Sequence, residues 1–263
     1  GLEGPVLGVA YDGTGFGNDG TAWGGEILLA RFGGFERLAT FRPIALAGGD
    51  RAMHEVWRIA LALVMDAFDG DVDLTSFGLF RNVEPHRIRV VRQMLAQSLN
   101  APLARGVGRY FDAIGALILE RSSSSYEGQV AIQCNQAASS TETGHYPFSL
   151  SEASPRELDL RPMVRALCQE LRAGESAGVL AARFHNTLIA ATSTMIRNAT
   201  REVGRLPVVL TGGVFHNPIL AEGVLAELGG SFDVRLHHEV PAGDGGIALG
   251  QALIADAIVR GRS

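Results

Sequence analysis

The sequence predicts an α/β fold, on three observations. The opening third is written in short alternating apolar runs. The middle carries apolar residues at helical spacing. The last quarter returns to strand followed by helix, with a glycine loop at each junction.

The elements follow from these patterns in chain order. Residues 6–12 (VLGVAYD) read as a strand, 26–32 (EILLARF) as a second and 35–44 (FERLATFRPI) as a third. The third alternates Phe35, Arg37, Ala39 and Phe41 against Glu36, Leu38, Thr40 and Arg42, and the connections are those of a meander. Residues 50–68 place Met53, Val56, Trp57, Ala60, Leu61, Val64 and Phe68 on one helical stripe, and 85–99 do so with Ile88, Val91, Leu95 and Leu99. Residues 111–120 read as a third helix, and 130–134 are too short to assign. Residues 135–157 are polar, contain Pro147 and Pro155, and read as a loop. A helical block spans 158–204, with one face from Leu160 to Leu171, a stop at Gly174 and a longer stripe from Leu180 to Met195. Residues 206–210 are a strand running into Gly212-Gly213 and a helix over 218–228. Residues 232–236 form the last strand, and a glycine loop at 243–246 opens the last helix. No solenoid-type repeat is present. The expected organisation is one domain in three parts: meander and helices over 1–134, polar loop and helical block over 135–204, and an α/β segment over 205–263.

Bulk properties narrow the function. A chain of 263 residues with 46% hydrophobic and 19% charged residues is globular rather than disordered. A net charge of -5 without a basic cluster argues against nucleic acid and membrane surfaces as partners. No apolar run reaches the length of a membrane span, and no signal peptide is visible. Cys134 and Cys168 form no framework and read as reduced thiols of a cytoplasmic protein. Neither has an activating neighbour, so neither reads as a nucleophile. The chain opens at Gly1 almost directly on a strand and is expected to be part of a longer protein.

The 33 glycines concentrate where chemistry is expected. Three loops sit at strand or helix ends: Asp12-Gly13-Thr14-Gly15, Thr211-Gly212-Gly213 through Asn217-Pro218, and Gly243-Asp244-Gly245-Gly246. Glycine lets backbone N–H groups approach an anion, and helix N-termini favour negative charge. Asn217 before Pro218 is either a helix cap or a nucleotide contact. Asp12 either closes a turn or binds a cation, and Asp244 either caps the last helix or does the same; two carboxylates together suit a hard divalent ion. Asp112 is placed in the first turn of the helix after Gly108, where an acid suits the macrodipole. Ser122–Ser125 and Tyr126-Glu127-Gly128-Gln129 either line a cleft or form a plain loop. His185 lies in an apolar stripe and is expected to be a satisfied, half-buried histidine rather than a ligand. His237-His238 alternate faces and cannot both meet one ion.

The strings VLGVAYDGTGFGNDGTAWGGEILL, FERLATFRPIALAGGDRA, GRYFDAIGALI, SYEGQVAIQ, ARFHNTL, LTGGVFHNPIL and VPAGDGGIALGQALIA occur in this order along nearly the whole chain. They resemble the C-terminal part of the HypF carbamoyltransferases of NiFe-hydrogenase maturation. The resemblance implies a Kae1/TsaD-like domain of the actin-like ATPase (ASKHA) fold, built from two ribonuclease-H-like lobes and incomplete here at its N-terminus. It implies transfer of a carbamoyl group from carbamoyl adenylate, made from carbamoyl phosphate and ATP by upstream domains, to the C-terminal cysteine of a HypE-like partner. It also implies roles by position. Asp12 and Asp244 match ligands of a divalent metal (Mg, Fe or Zn). Gly13, Thr14, Gly15, Gly108, Asp112, Gly212, Gly213 and Asn217 match nucleotide loops, and Glu127 falls in a family string facing the cleft. The family's upstream histidine string, its acylphosphatase-like and zinc-finger-like segments and its YrdC-like domain are not in this sequence, so the isolated chain is expected to lack part of the metal site. The alternatives are a carbamoyltransferase for another acceptor, such as a small-molecule hydroxyl or a tRNA base, and a non-catalytic nucleotide-binding fragment.

Overall fold

A computed structural model describes residue 2 and residues 4–261. Strand β1 (Val6–Gly15), β2 (Trp23–Arg31) and β3 (Gly34–Phe41) form the expected antiparallel meander, with Val9 opposite Ile27 and Ile27 opposite Ala39. The two-residue period puts Leu7, Val9 and Tyr11 on one face, all fully buried. After the two-residue strand β4 (Ile44–Ala45) come helices α1 (Asp50–His54), α2 (Trp57–Ala67), α3 (Gly78–Arg81) and α4 (Pro85–Ala96). Strand β5 (Leu103–Ala104) pairs with β4 and leads into α5 (Val107–Leu119) and α6 (Gln129–Ala137). Strands β6 (Ser149–Leu150) and β7 (Arg156–Asp159) precede α7 (Arg161–Arg172) and the long α8 (Ala177–Val203). Strand β8 (Val208–Thr211), α9 (Pro218–Gly229), β9 (Val234–Arg235) and α10 (Ile247–Val259) complete the chain.

One seven-stranded sheet runs β6-β7-β3-β2-β1-β8-β9. Strand β8 lies parallel to β1, with Leu7 opposite Val208, and β9 lies parallel to β8. An antiparallel meander extended beyond its first strand by parallel strands is the ribonuclease-H-like arrangement that the resemblance implies. Helix α8 crosses the sheet and is tied to it by a buried relay: Thr192 Oγ1 donates to the Leu188 carbonyl at 2.7 Å, so the Tyr11 hydroxyl donates to Thr192 at 2.8 Å. Tyr11 also stacks on Phe215 at 5.3 Å and meets Phe41 edge-on at 5.4 Å, which joins β1 to the loop after β8. Most of α10 stays exposed, including Ile247, Leu253, Ile258 and Val259, while Ala257 is buried.

The structure departs from the sequence reading in several places, each with a physical cause. The helix read over 50–68 is two helices. The loop at Ser122–Ser124 docks at the break: Trp57 N–H donates to the Ser122 carbonyl, and Ser124 N–H donates to the His54 carbonyl, at 3.3 and 2.8 Å. The helix read over 111–120 begins four residues earlier, at Val107. The short run at 130–134 is the middle of α6. The stretch 135–157 holds the end of α6, β6 and the start of β7, whose hydrogen-bonding partner is β3, a strand far away in sequence. The strand read over 232–236 shrinks to Val234–Arg235 at the sheet edge.

The segment around Gly106 crosses the end of β1 at close range. A Cβ on Gly106 would lie 2.0 Å from the Gly13 carbonyl oxygen, and one on Gly212, at φ 99°, would lie 2.0 Å from the Tyr11 carbonyl oxygen. Both obstacles are backbone, so no side chain can move aside. Gly106→Ala is expected to cost at least ~3 kcal/mol or prevent folding. Gly34→Ala, which meets nothing within 4 Å, is expected to stay within about 0.5 kcal/mol. Urea unfolding of both variants checks this; equal losses would show that the close crossing is not a constraint.

Candidate functional site

The parallel strands β1 and β8 end at the same side of the sheet, and a cavity of about 510 Å³ opens there. Crevices at the carboxyl ends of parallel strands are where α/β folds bind ligands. Five pieces of chain build the wall: Asp12-Gly13 in β1, the first two turns of α5, Glu127-Gly128 with the adjacent face of α6, Gly213 to Asn217, and Gly243-Asp244.

Asp12 is held by its own loop. One carboxylate oxygen accepts from the Gly13 N–H at 2.7 Å. The loops carrying Gly213 and Asp244 are stitched together, since Gly212 N–H donates to the Ala242 carbonyl at 2.8 Å and Thr211 Oγ1 does so at 3.3 Å. This brings both acids to one cavity, with His216 on the same wall. Among the described residues no group of three or more His, Cys, Asp or Glu is arranged to hold a metal.

Asn217 caps α9, its Oδ1 accepting from Leu220 N–H at 3.3 Å, and it also lines the cavity. Its Nδ2 donates to His185 Nε2 at 2.9 Å. His185 Nδ1 lies 2.7 Å from the Ala181 carbonyl, which can only accept, so the proton sits on Nδ1 and Nε2 is the acceptor. His185 is fully buried rather than half-buried, and burial holds its pKa below the ordinary value, which keeps it neutral. It therefore fixes the rotamer of Asn217.

The opposite wall is charged. Asp112 lies in the second turn of α5, not the first, because the helix starts at Val107; it is 4% exposed. Burial pushes its carboxyl up to about 6, against the opposing pull of Arg109 and with Glu127 adding to the rise. Arg109, which sequence reasoning missed, is 3% exposed and places Nη2 3.1 Å from Asp112 Oδ2. The signal was present: two opposite charges at i, i+3 inside an otherwise apolar helix. His216 also lines the cavity, as does Gly243 of the third glycine loop.

Of the residues named from sequence, Asp12, Gly13, Gly108, Asp112, Glu127, Gly213, Asn217 and Asp244 come together around this cavity. Thr14, Gly15 and Gly212 lie outside its lining: Gly15 pairs with Trp23 across β1 and β2, and Gly212 packs on the Tyr11 backbone. The serine run does not line it either. Both thiols are buried, and burial pushes Cys134 and Cys168 up to about 12, so neither is a thiolate near neutral pH.

Residues 8–251 match the family model described as carbamoyltransferase, Kae1-like domain, second subdomain. The chain is 36% identical over 288 residues to carbamoyltransferase HypF2 of Cupriavidus necator, covering 97% of this chain and 34% of that protein. It is 34% identical over 267 residues to carbamoyltransferase HypF of Synechocystis, covering 96% of this chain and 34% of that one. A crystal structure of full-length HypF in the phosphate- and nucleotide-bound form superposes with a TM-score of 0.91 at 30% identity, over 98% of this chain and 34% of that one. The chain thus spans about a third of the length of these relatives.

The raised carboxyl of Asp112 sets a pH dependence of stability. Its folded pKa lies above the ordinary 3.8, so its contribution is fully present below that value and is lost as pH rises through about 6. Between about pH 4 and pH 7 the unfolding free energy is expected to fall by roughly 2 kcal/mol more in the chain than in Asp112→Asn. Urea unfolding across that range tests it, and superimposable pH profiles would contradict it.

Proposed function

Because the chain belongs to the HypF carbamoyltransferase family, matching the second subdomain of its Kae1-like domain, we propose that its cavity binds ATP or carbamoyl adenylate and serves transfer of the carbamoyl group to a partner's thiol. The acceptor in this reading is the C-terminal cysteine of a HypE-like protein. The activated carbamoyl group comes from carbamoyl phosphate and ATP, used elsewhere in the longer protein. The product feeds synthesis of the cyanide ligands of NiFe hydrogenase. The observation that carries the reading is the cavity itself: four carboxylates, a buried arginine and glycine backbone converge at the carboxyl ends of β1 and β8, with no cysteine, serine or threonine among the described residues that line it.

The chemistry needs little else from this chain. Carbamoyl adenylate is a mixed anhydride. The partner's thiolate attacks the carbamoyl carbon, a C–S bond forms, the C–O bond to the phosphate breaks, and AMP leaves with the electron pair. The task left to the protein is positioning and stabilising negative charge. Gly13 and Gly213 let backbone come close to the nucleotide, and Asn217, fixed by His185, offers a rigid polar edge.

Asp12 and Asp244 fit a hard cation. Both line the cavity, and the Gly13 N–H occupies one Asp12 oxygen, with no hydrogen bond to the other among the described residues. Two carboxylates suit Mg²⁺, which keeps several waters and shares phosphate oxygens. When bound, the cation supplies Lewis acidity toward the phosphate and carbamoyl oxygens.

Calorimetric titration with ATP, with and without Mg²⁺, tests the reading in the chain and in Asp244→Ala. Binding that requires Mg²⁺ and weakens at least ~10-fold in the variant is expected, about 1.4 kcal/mol. Absence of ATP binding under both conditions, with the chain folded, would contradict it.

A further inference from the structure

Arg109 is a buried and incompletely paired charge in the cavity wall. Its side chain is 3% exposed, and a guanidinium so buried needs partners for five N–H donors. Asp112 gives one ion-pair contact at 3.1 Å, and Nη1 points at the Met53 sulfur, a weak acceptor. Glu127 Oε1 stands 3.9 Å from Nη2, beyond hydrogen-bond reach, on a side chain that is 81% exposed. Nε is buried with no partner among the described residues. By contrast, Arg58, also buried, bonds to the Glu55 carboxylate and to the Ala47 carbonyl. The arginine is also aimed inward: a Cβ on Gly13 would lie 2.9 Å from Nη2, so the bare Gly13 backbone is what lets the guanidinium reach over the floor of the cavity. A second unpaired buried atom, Asn135 Oδ1, belongs to a residue of the same wall. The atom that reaches the cavity is Nη2, whose carboxylate neighbours are Asp112 at 3.1 Å and the more distant Glu127.

We infer that Arg109 is the anion-recognition residue of this cavity, its guanidinium taking a phosphoryl oxygen of the bound nucleotide, and that Glu127 is the rim carboxylate the phosphate displaces. The inference rests on the nucleotide reading above and goes beyond it by assigning the phosphate contact. The geometry explains why Glu127 stands off at 3.9 Å. It is near enough to compensate the guanidinium in the absence of an anion, yet exposed and free to swing out when one arrives. A phosphate oxygen on Arg109 forms a charge-assisted, fork-matched contact, and a carboxylate left beside it would repel. Glu127 should therefore oppose anion binding while Arg109 favours it, and neither should matter to a neutral nucleoside.

The test titrates the chain and its variants with ATP and with adenosine. Arg109→Gln is expected to weaken ATP at least 10-fold and to leave adenosine within about twofold. Glu127→Gln is expected to tighten ATP severalfold, again without effect on adenosine. Arg109→Lys keeps the charge without the fork and should fall between. If Arg109→Gln unfolds because Asp112 is stranded, Arg109→Gln with Asp112→Asn removes the unpaired carboxylate, and circular dichroism checks the fold. Equal losses for ATP and adenosine in a folded variant would make the arginine a structural residue and overturn the assignment. Undiminished ATP binding in Arg109→Gln would overturn the assignment and leave the nucleotide reading standing. A chain that binds neither ligand would overturn both.

Discussion

The structure depends on one close crossing of backbone over backbone at the end of β1. The Asp12-Gly13 peptide is overlaid by the segment at Gly106, and the Tyr11 peptide by Gly212. Everything at the cavity is indexed to that contact. It sets where α5 starts, so Gly108, Arg109 and Asp112 face inward. It sets the approach of the loop after β8, so Gly213 sits 3.3 Å from the Asp12 carboxylate, measured from the Cβ it lacks. The loop carrying Asp244 then follows through the Ala242 hydrogen bonds. A chain that could not bring these peptides together would not bring its acids to one cavity.

Charge is placed around the crossing in two ways. Glu26 is buried, and burial pushes its carboxyl above the usual range even though it accepts from the Gly24 and Gly25 N–H groups at 2.7 Å and from Thr40 at 3.1 Å. One of its oxygens accepts from the backbone of β2 and the other from the Thr40 hydroxyl of β3, and it is a structural carboxylate. The Arg109 and Asp112 pair sits in a similarly dry place, but its arginine is not saturated by protein. Glu26 lies away from the cavity lining, whereas Arg109 and Asp112 are part of it. Phe111, Phe184 and His185 form the apolar backing that keeps that side dry.

Much of this was legible in the sequence, and the remainder was hidden for definite reasons. The meander could be read because a half-buried sheet writes a period of two, and α8 because its apolar stripe is long. The break between α1 and α2 could not, since the loop that causes it lies more than sixty residues downstream in sequence. Strands β4 to β7 are two to four residues long, too short for any period. The glycines were read as making room for phosphate. Gly13 and Gly213 do line the cavity, but Gly106 and Gly212 serve contact between backbones, a distinction that no local pattern carries. Arg109 stood inside a motif already noticed, but only burial and the missing partner for Nε give it meaning.

The most direct measurement is a crystal structure of the chain grown with ATP and Mn²⁺, with anomalous data at the manganese edge. The convergence of five chain segments on one cavity leads to a single expectation: phosphates against Gly13 and Arg109, and an anomalous peak between Asp12 and Asp244. Nucleotide density elsewhere, for example in the second cleft at Arg42 and Asp66, with the cavity between β1 and β8 empty, would contradict it.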